Sequence, residues 1–142
     1  MTAIAATQTT APVRPGKIRN RVLWTLQIVL GLFFIIASGG PKLLIPHTLM
    51  DNNATAFSIP LGLLVFIGLA EVAGGIGLMV PRLTAAAAIG LAIVTFLAAG
   101  FNAFLAGTPE LAPFPLALTA IFAWIAYERR ASITALLALI KR

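Results

Sequence analysis

Residues 22–41 read VLWTLQIVLGLFFIIASGGP, twenty positions without a charge, between Arg21 and Lys42. At 1.5 Å of rise per residue a helix of this length covers about 30 Å, one hydrocarbon thickness. Ala37 and Gly39 resemble a small-residue cleavage site. However, the basic segment starts late, and the apolar stretch exceeds the usual ~7–15 residues of a signal core. The stretch is therefore read as a transmembrane helix over about 22–44.

Three more runs follow it: 59–80, interrupted only by Glu71; 83–105, without charge; and 113–128. Pro113 and Pro115 suit the first turn of the last one, where a missing N–H costs little. Between the runs, Lys42 to Phe57, Pro81-Arg82 and Gly107-Thr108-Pro109-Glu110 read as connections, because Pro, Gly and Asn break periodic structure. The runs are continuous and rich in Ala and Leu, whereas barrel strands alternate every second residue. The expected fold is all-α, an integral membrane four-helix bundle over residues 21–130. A flexible basic arm (1–20) precedes it and a short tail (131–142) follows, in which 133–140 reads as a short amphipathic surface helix.

Composition agrees. Of 142 residues 60% are hydrophobic and 10% are charged, against roughly 25% charged in a soluble domain. Nine of the ten basic residues (Arg14, Lys17, Arg19, Arg21, Arg82, Arg129, Arg130, Lys141 and Arg142) fall on one side of a four-span topology, and only Lys42 falls on the other. By the positive-inside rule both termini are cytoplasmic in a multi-pass protein of the cell's inner (plasma) membrane. Trp24, Trp124 and Tyr127 fall at that same interface. The net charge of +6 then reflects topology and anionic headgroups, with no nucleic-acid partner expected.

The absence of cysteine excludes thiol redox chemistry and cysteine-ligated clusters within the chain, and one histidine excludes bis-histidine haem ligation. His47 and Asp51, four apart, are too few ligands for a metal site; none is expected.

The candidate polar membrane site is Glu71, Lys42 and Asn102; no catalytic residue is assigned. A charged side chain at mid-membrane costs roughly 2.5–3.5 kcal/mol on insertion scales, so Glu71 needs a reason to be there. A proton or cation site, a contact to a quinone, and a structural bond to a neighbouring helix all remain open. Lys42 is its most plausible partner. By helix rise the two lie ~10 Å apart along the axis, so the lysine must reach down into the bundle rather than snorkel outward. Asn102, with Thr95 one heptad away, lies near the same end, and a lone Asn in a membrane helix more often joins helices than binds ligands. Ala70-xxx-Gly74, Glu71-xxx-Gly75 and Ala73-xxx-Gly77 predict close helix packing, with Glu71 facing protein.

Two segments carry a family resemblance. Trp24-Thr-Leu-Gln-Ile-Val-Leu-Gly-Leu-Phe-Phe, running on to Gly39-Gly40-Pro41-Lys42-Leu43, resembles the first helix of the DoxX-like family and its Gly-x-x-Lys-Leu-like close. The stretch from Ala70-Glu71-Val72 to Pro81-Arg82-Leu83 is similar to its Glu-Val-x-Gly-x-x-Gly-Leu-x-x-Pro segment. The likeness covers roughly 20–130 and implies a four-span bundle in which Lys42 and Glu71 match the family's polar positions. Some members are membrane subunits of a thiosulfate:quinone oxidoreductase, and others resemble organisers that tie soluble redox enzymes to the membrane. The resemblance implies a membrane subunit or organiser for a quinone-linked redox partner, without its own redox centre or stand-alone activity. No intrinsic cofactor is implied beyond a quinone contact, and the partners are lipid, a redox enzyme or further copies of the chain. The rival is a small proton-coupled transporter using Glu71. Small multidrug-resistance transporters, however, carry their carboxylate in the first helix. A purely structural assembly factor is the third reading.

Overall fold

The structure, a computed structural model, describes residues 16–52 and 59–141. Most of the N-terminal arm read at 1–20 lies outside the described residues. Four helices are long and apolar enough to cross a membrane. Helix α1 (Lys17–Leu44) is followed by short α2 (Pro46–Asn52), then α3 (Leu61–Met79) and α4 (Thr84–Leu105). A 3-10 turn (Pro109–Leu111) leads into α5 (Pro113–Glu128), and α6 (Ala131–Ile140) closes the chain. No strand occurs among the described residues. The protein is an all-helical, integral membrane bundle.

Helix α1 starts at Lys17, because an α-helix propagates through Arg19 and Arg21 well before the apolar run begins. Arg19 uses that extra turn to reach Glu128 at the end of α5, 3.5 Å away. The expected loop over Lys42–Phe57 is corrected for its described part. Gly40–Leu44 continues α1 and Pro46–Asn52 forms α2; residues 53–57 lie outside the described residues. Pro46 opens α2, in the first turn, where proline is pre-organised and loses no bond, whereas Pro41 lies inside α1 without ending it. The break falls between them at Ile45 (φ −132°, ψ 49°), a residue whose following proline disfavours the helical region.

Two wide turns interrupt the membrane helices. Phe33–Gly39 of α1 and Phe101–Leu105 of α4 are π-helical. The first ends just before Pro41, which has no N–H to donate and whose ring crowds the carbonyl four residues back. The buried positions of α1 record the change. Leu23, Gln27, Gly31 and Phe34 follow helical steps of four, four and three, and the next buried residue, Gly39, comes five later. After α4 the chain turns at Gly107, whose φ of +69° suits glycine.

The core is Leu23, Phe34, Leu78, Ala88, Leu91, Leu118, Phe122 and Ile125. Phe34 of α1 meets Phe122 of α5 edge to face with ring centroids 5.4 Å apart, which closes the ring of helices. Large apolar side chains such as Ile36, Phe66 and Phe104 point outward, as lipid requires. Because lipid tails are as apolar as leucine, association depends on close backbone approach rather than on hiding oil from water. Helices α1 and α3 meet at Gly31 against Gly75 and at Gly39 against Gly68. A Cβ on Gly31 would stand 2.7 Å from the Gly75 carbonyl oxygen, and one on Gly39 the same distance from that of Gly68. Between α4 and α5, Thr95 Oγ1 and Thr119 Oγ1 lie 2.9 Å apart while each bonds a carbonyl of its own helix.

Contacts between the beginning of α1 and the end of α5 collect basic residues at one end of the bundle. There the Arg129 guanidinium lies 5.4 Å from the Trp24 ring, and Arg130 lies 4.4 Å from Tyr127. Burial pushes the Arg129 guanidinium below its ordinary value, and the adjacent Glu128 carboxylate opposes that shift. Helix α6 docks at this basic end, where Ser132 Oγ accepts a 3.2 Å bond from the Ala85 N–H in the first turn of α4. That turn's N–H groups have no partner within their own helix. The expected surface helix is thus tied to the bundle by one polar bond, with Leu137, Leu139 and Ile140 exposed.

Candidate functional site

Glu71 is the eleventh of the nineteen residues of α3, midway along it. Its neighbours one turn away on either side are Gly68 and Gly75, the two points where α1 presses against α3. Glu71 therefore points into the seam between the two helices, and its side chain is 7% exposed.

Lys42 approaches from the far end of α1. Gly39 and Gly68 let the backbones come close enough for the Lys42 stem to lie across α3; a Cβ on Gly68 would stand 2.9 Å from that of Lys42. The ammonium then turns into the bundle and donates to Glu71 Oε2 at 2.5 Å and to Ser38 Oγ at 3.1 Å. Its side chain is 22% exposed. A long stem in place of a snorkelling one resolves the axial gap of about 10 Å implied by helix rise. Charge-assisted bonds of this kind are short and strong, because the apolar surroundings screen them little.

Of the three residues expected to form a polar site, the fold brings Lys42 and Glu71 together and leaves Asn102 apart. Asn102 is half-buried in the wide turn of α4, and its side chain bonds no other described residue. Thr95, its heptad neighbour, is spent on the α4–α5 contact. In α2, His47 is exposed. No group of three metal-ligating side chains occurs among the described residues.

Two polar residues escaped the sequence reading. Ser38 is four residues before Lys42, a spacing that predicts neighbours on a helix. Gln27 is buried completely between Leu23 and Gly31 on the inward stripe of α1, and neither amide atom has a hydrogen-bond partner among the described residues. The signal was its place on a stripe of otherwise apolar and small residues. A buried amide without a partner costs about 1–3 kcal/mol. Gln27→Leu is therefore expected to raise the stability of the bundle by about that amount, read as resistance to unfolding in a mixed micelle. A loss of stability would show that the amide is bonded to a group from outside the chain.

A family model for the DoxX-like family matches residues 25–125, most of the chain and all four apolar helices in large part. The chain belongs to the DoxX-like family. No curated protein and no solved structure matches it. The DoxX-like segment contains Gln27, Ser38, Lys42 and Glu71 and stops before the Glu128-Arg129-Arg130 cluster. The polar pair thus belongs to the family domain itself. The arrangement can neutralise a carboxylate inside an apolar slab and lock α1 to α3. It leaves Glu71 Oε2 already engaged by a cation.

Proposed function

We propose that this DoxX-like protein is a membrane subunit or organiser for a quinone-linked redox enzyme, without stand-alone catalytic activity. It would reside in the plasma membrane with both termini in the cytoplasm. The observation that carries the reading is the Lys42–Glu71 pair. The mid-bundle acid is satisfied from within, so it serves the packing of the family domain and leaves the chemistry to a partner. The lack of cysteine and the single histidine support the same division of labour. Nine basic residues against one support the orientation.

The described residues do not make a convincing headgroup site for quinone. The groove between α4 and α5 is lined by apolar side chains and Thr119. The Thr119 hydroxyl already donates to the Pro115 carbonyl, so the groove suits a hydrocarbon chain better than a ring with two carbonyls. Quinone is accordingly assigned to the partner, or to an interface shared with it or with a second copy of the chain.

The rival, a proton-coupled transporter using Glu71, draws on the same buried carboxyl. It requires that carboxyl to be released from Lys42 in each cycle. Extraction into native lipid nanodiscs, with mass spectrometry of protein and lipid, separates the two. A stoichiometric redox enzyme or enriched quinone supports the subunit reading. Protein with ordinary lipid alone overturns it. Proton release on adding cationic substrates, abolished by Glu71→Gln, would then establish transport.

A further inference from the structure

Polar groups inside the bundle are satisfied unevenly along its axis. Away from the basic end, Lys42 bonds Ser38 and Glu71, and Thr95 meets Thr119 between α4 and α5. Toward the basic end, both amide atoms of Gln27 and the Nε and Nη2 of Arg129 have no partner among the described residues. All four atoms are also closed to solvent, so water cannot replace the missing bonds in this form. Buried polar atoms in native proteins are almost always bonded, and a charged group left without a partner costs most. Hydration would restore these bonds, and it requires a different form of the bundle.

The contacts of α1 indicate where such a form opens. Against α3, backbone meets backbone at Gly31–Gly75 and at Gly39–Gly68. Against α5, the contacts are made by side chains. Phe34 on Phe122 is the deep one, ~10 Å beyond Gln27 by helix rise. Nearer the basic end, Arg19 reaches Glu128 at 3.5 Å and the Arg129 guanidinium stands 5.4 Å from the Trp24 ring. Arg19 is exposed and Trp24 is half-buried, and exposed ion pairs contribute little. Trp24 and Gln27 are neighbours one turn apart on α1, so the ring that Arg129 touches adjoins the amide that is buried unbonded. Separating the start of α1 from the end of α5 would wet Arg129 first and Gln27 next, with the two phenylalanine rings as the floor.

We infer that the basic end of the bundle opens transiently between α1 and α5 and admits water as far as Gln27, the structure being the closed form. The opening is an aqueous inlet that stops short of the Lys42–Glu71 pair, because Glu71 lies one turn past the Gly31–Gly75 contact. An open form populated at ~0.1–10% is enough. This inference goes beyond the proposed redox role and does not rest on it.

The chain has no cysteine, so single-cysteine variants of the full chain report water access without background. Gln27→Cys in proteoliposomes is treated with a membrane-impermeant, anionic methanethiosulfonate from either side. It should react from the side that modifies Ile18→Cys, a position 80% exposed at the basic end. The rate should be ~10–1,000-fold lower than for Ile18→Cys, the ratio set by the open fraction. Leu91→Cys, buried where α4 packs on Gly74 of α3, should stay unmodified. Arg19→Gln removes the bridge to Glu128 and should speed labelling of Gln27→Cys about two- to fivefold, the effect of losing an exposed ion pair. Leu23→Cys, equally buried one turn nearer the basic end, carries the same test if Gln27→Cys does not fold. If both buried cysteines stay unmodified over times ~1,000-fold longer than Ile18→Cys needs, the opening is overturned. Labelling of Leu91→Cys as fast as Gln27→Cys, or labelling of Gln27→Cys from the opposite side, overturns it equally, since the whole bundle would then be loose.

Discussion

Glu71→Leu, with Lys42 retained, is expected to destabilise the bundle by about 3–5 kcal/mol, the cost of leaving one member of a buried ion pair uncompensated. Lys42→Met should cost a comparable amount, because the Glu71 carboxylate pairs with no other cation among the described residues and is nearly enclosed by α1 and α3. The double variant Lys42→Met/Glu71→Leu is the informative one. Apolar replacement of both members of a buried pair is commonly neutral or stabilising by about 1–4 kcal/mol. The three variants and the parent form a thermodynamic cycle, measured by unfolding in mixed micelles. A large favourable coupling with a stable double variant marks a pair whose structural duty apolar packing can assume. If the double variant is stable and yet loses its co-purifying partner, the charges serve the partner as well as the fold. Single variants no less stable than the parent would mean that the pair is not formed in the membrane.

The second large effect concerns the helix seam rather than its charges. Gly75→Ala places a methyl group 2.7 Å from the Gly31 carbonyl oxygen and 2.9 Å from Ile35 Cγ1. The first of these atoms is backbone and cannot rotate away, so the helices must separate. Separation would stretch the Lys42–Glu71 bond one turn further along. Overpacking of this kind costs about 1–3 kcal/mol, and Gly75→Leu should prevent assembly of α1 on α3. Gly90→Ala is the matched control. Nothing lies within 4 Å of a Cβ at that position, and alanine there should be neutral or stabilising by about 0.5–1 kcal/mol through helix propensity. Thermal unfolding of the two variants side by side gives the comparison. Equal midpoints would show that the α1–α3 approach is looser than these distances imply.

The contrast between Gly75 and Gly90 shows how far the sequence could be read. Both are glycines in apolar helices, and small-residue spacing announced close packing around residues 70–77. Which glycine meets a backbone and which faces open lipid depends on the rotation of each helix about its axis. That rotation is set by neighbours distant in sequence. The same holds for the polar residues. Lys42 and Glu71 were conspicuous because a charge in an apolar run is costly wherever it lands. Gln27 was not, since its burial follows from the inward stripe of α1.

By itself the sequence determined that the chain has four lipid-length apolar helices, with nine of its ten basic residues on one side of a four-span topology. Those properties depend on the energy of moving each residue into hydrocarbon, which is local and additive along the chain. Its motifs also determined the DoxX-like resemblance that the family match bears out. Tertiary structure alone decided that Lys42 reaches into the bundle to Glu71 and Ser38, while Asn102 stays apart. The wide turn before Pro41 and the Gly39–Gly68 approach orient Lys42 toward that seam. A composition-based reading cannot see this, because a shift of one residue in a helical turn rotates everything beyond it by roughly 100°. Pairing of charges is a property of that rotation and of a neighbouring helix, and neither is written in the local hydropathy.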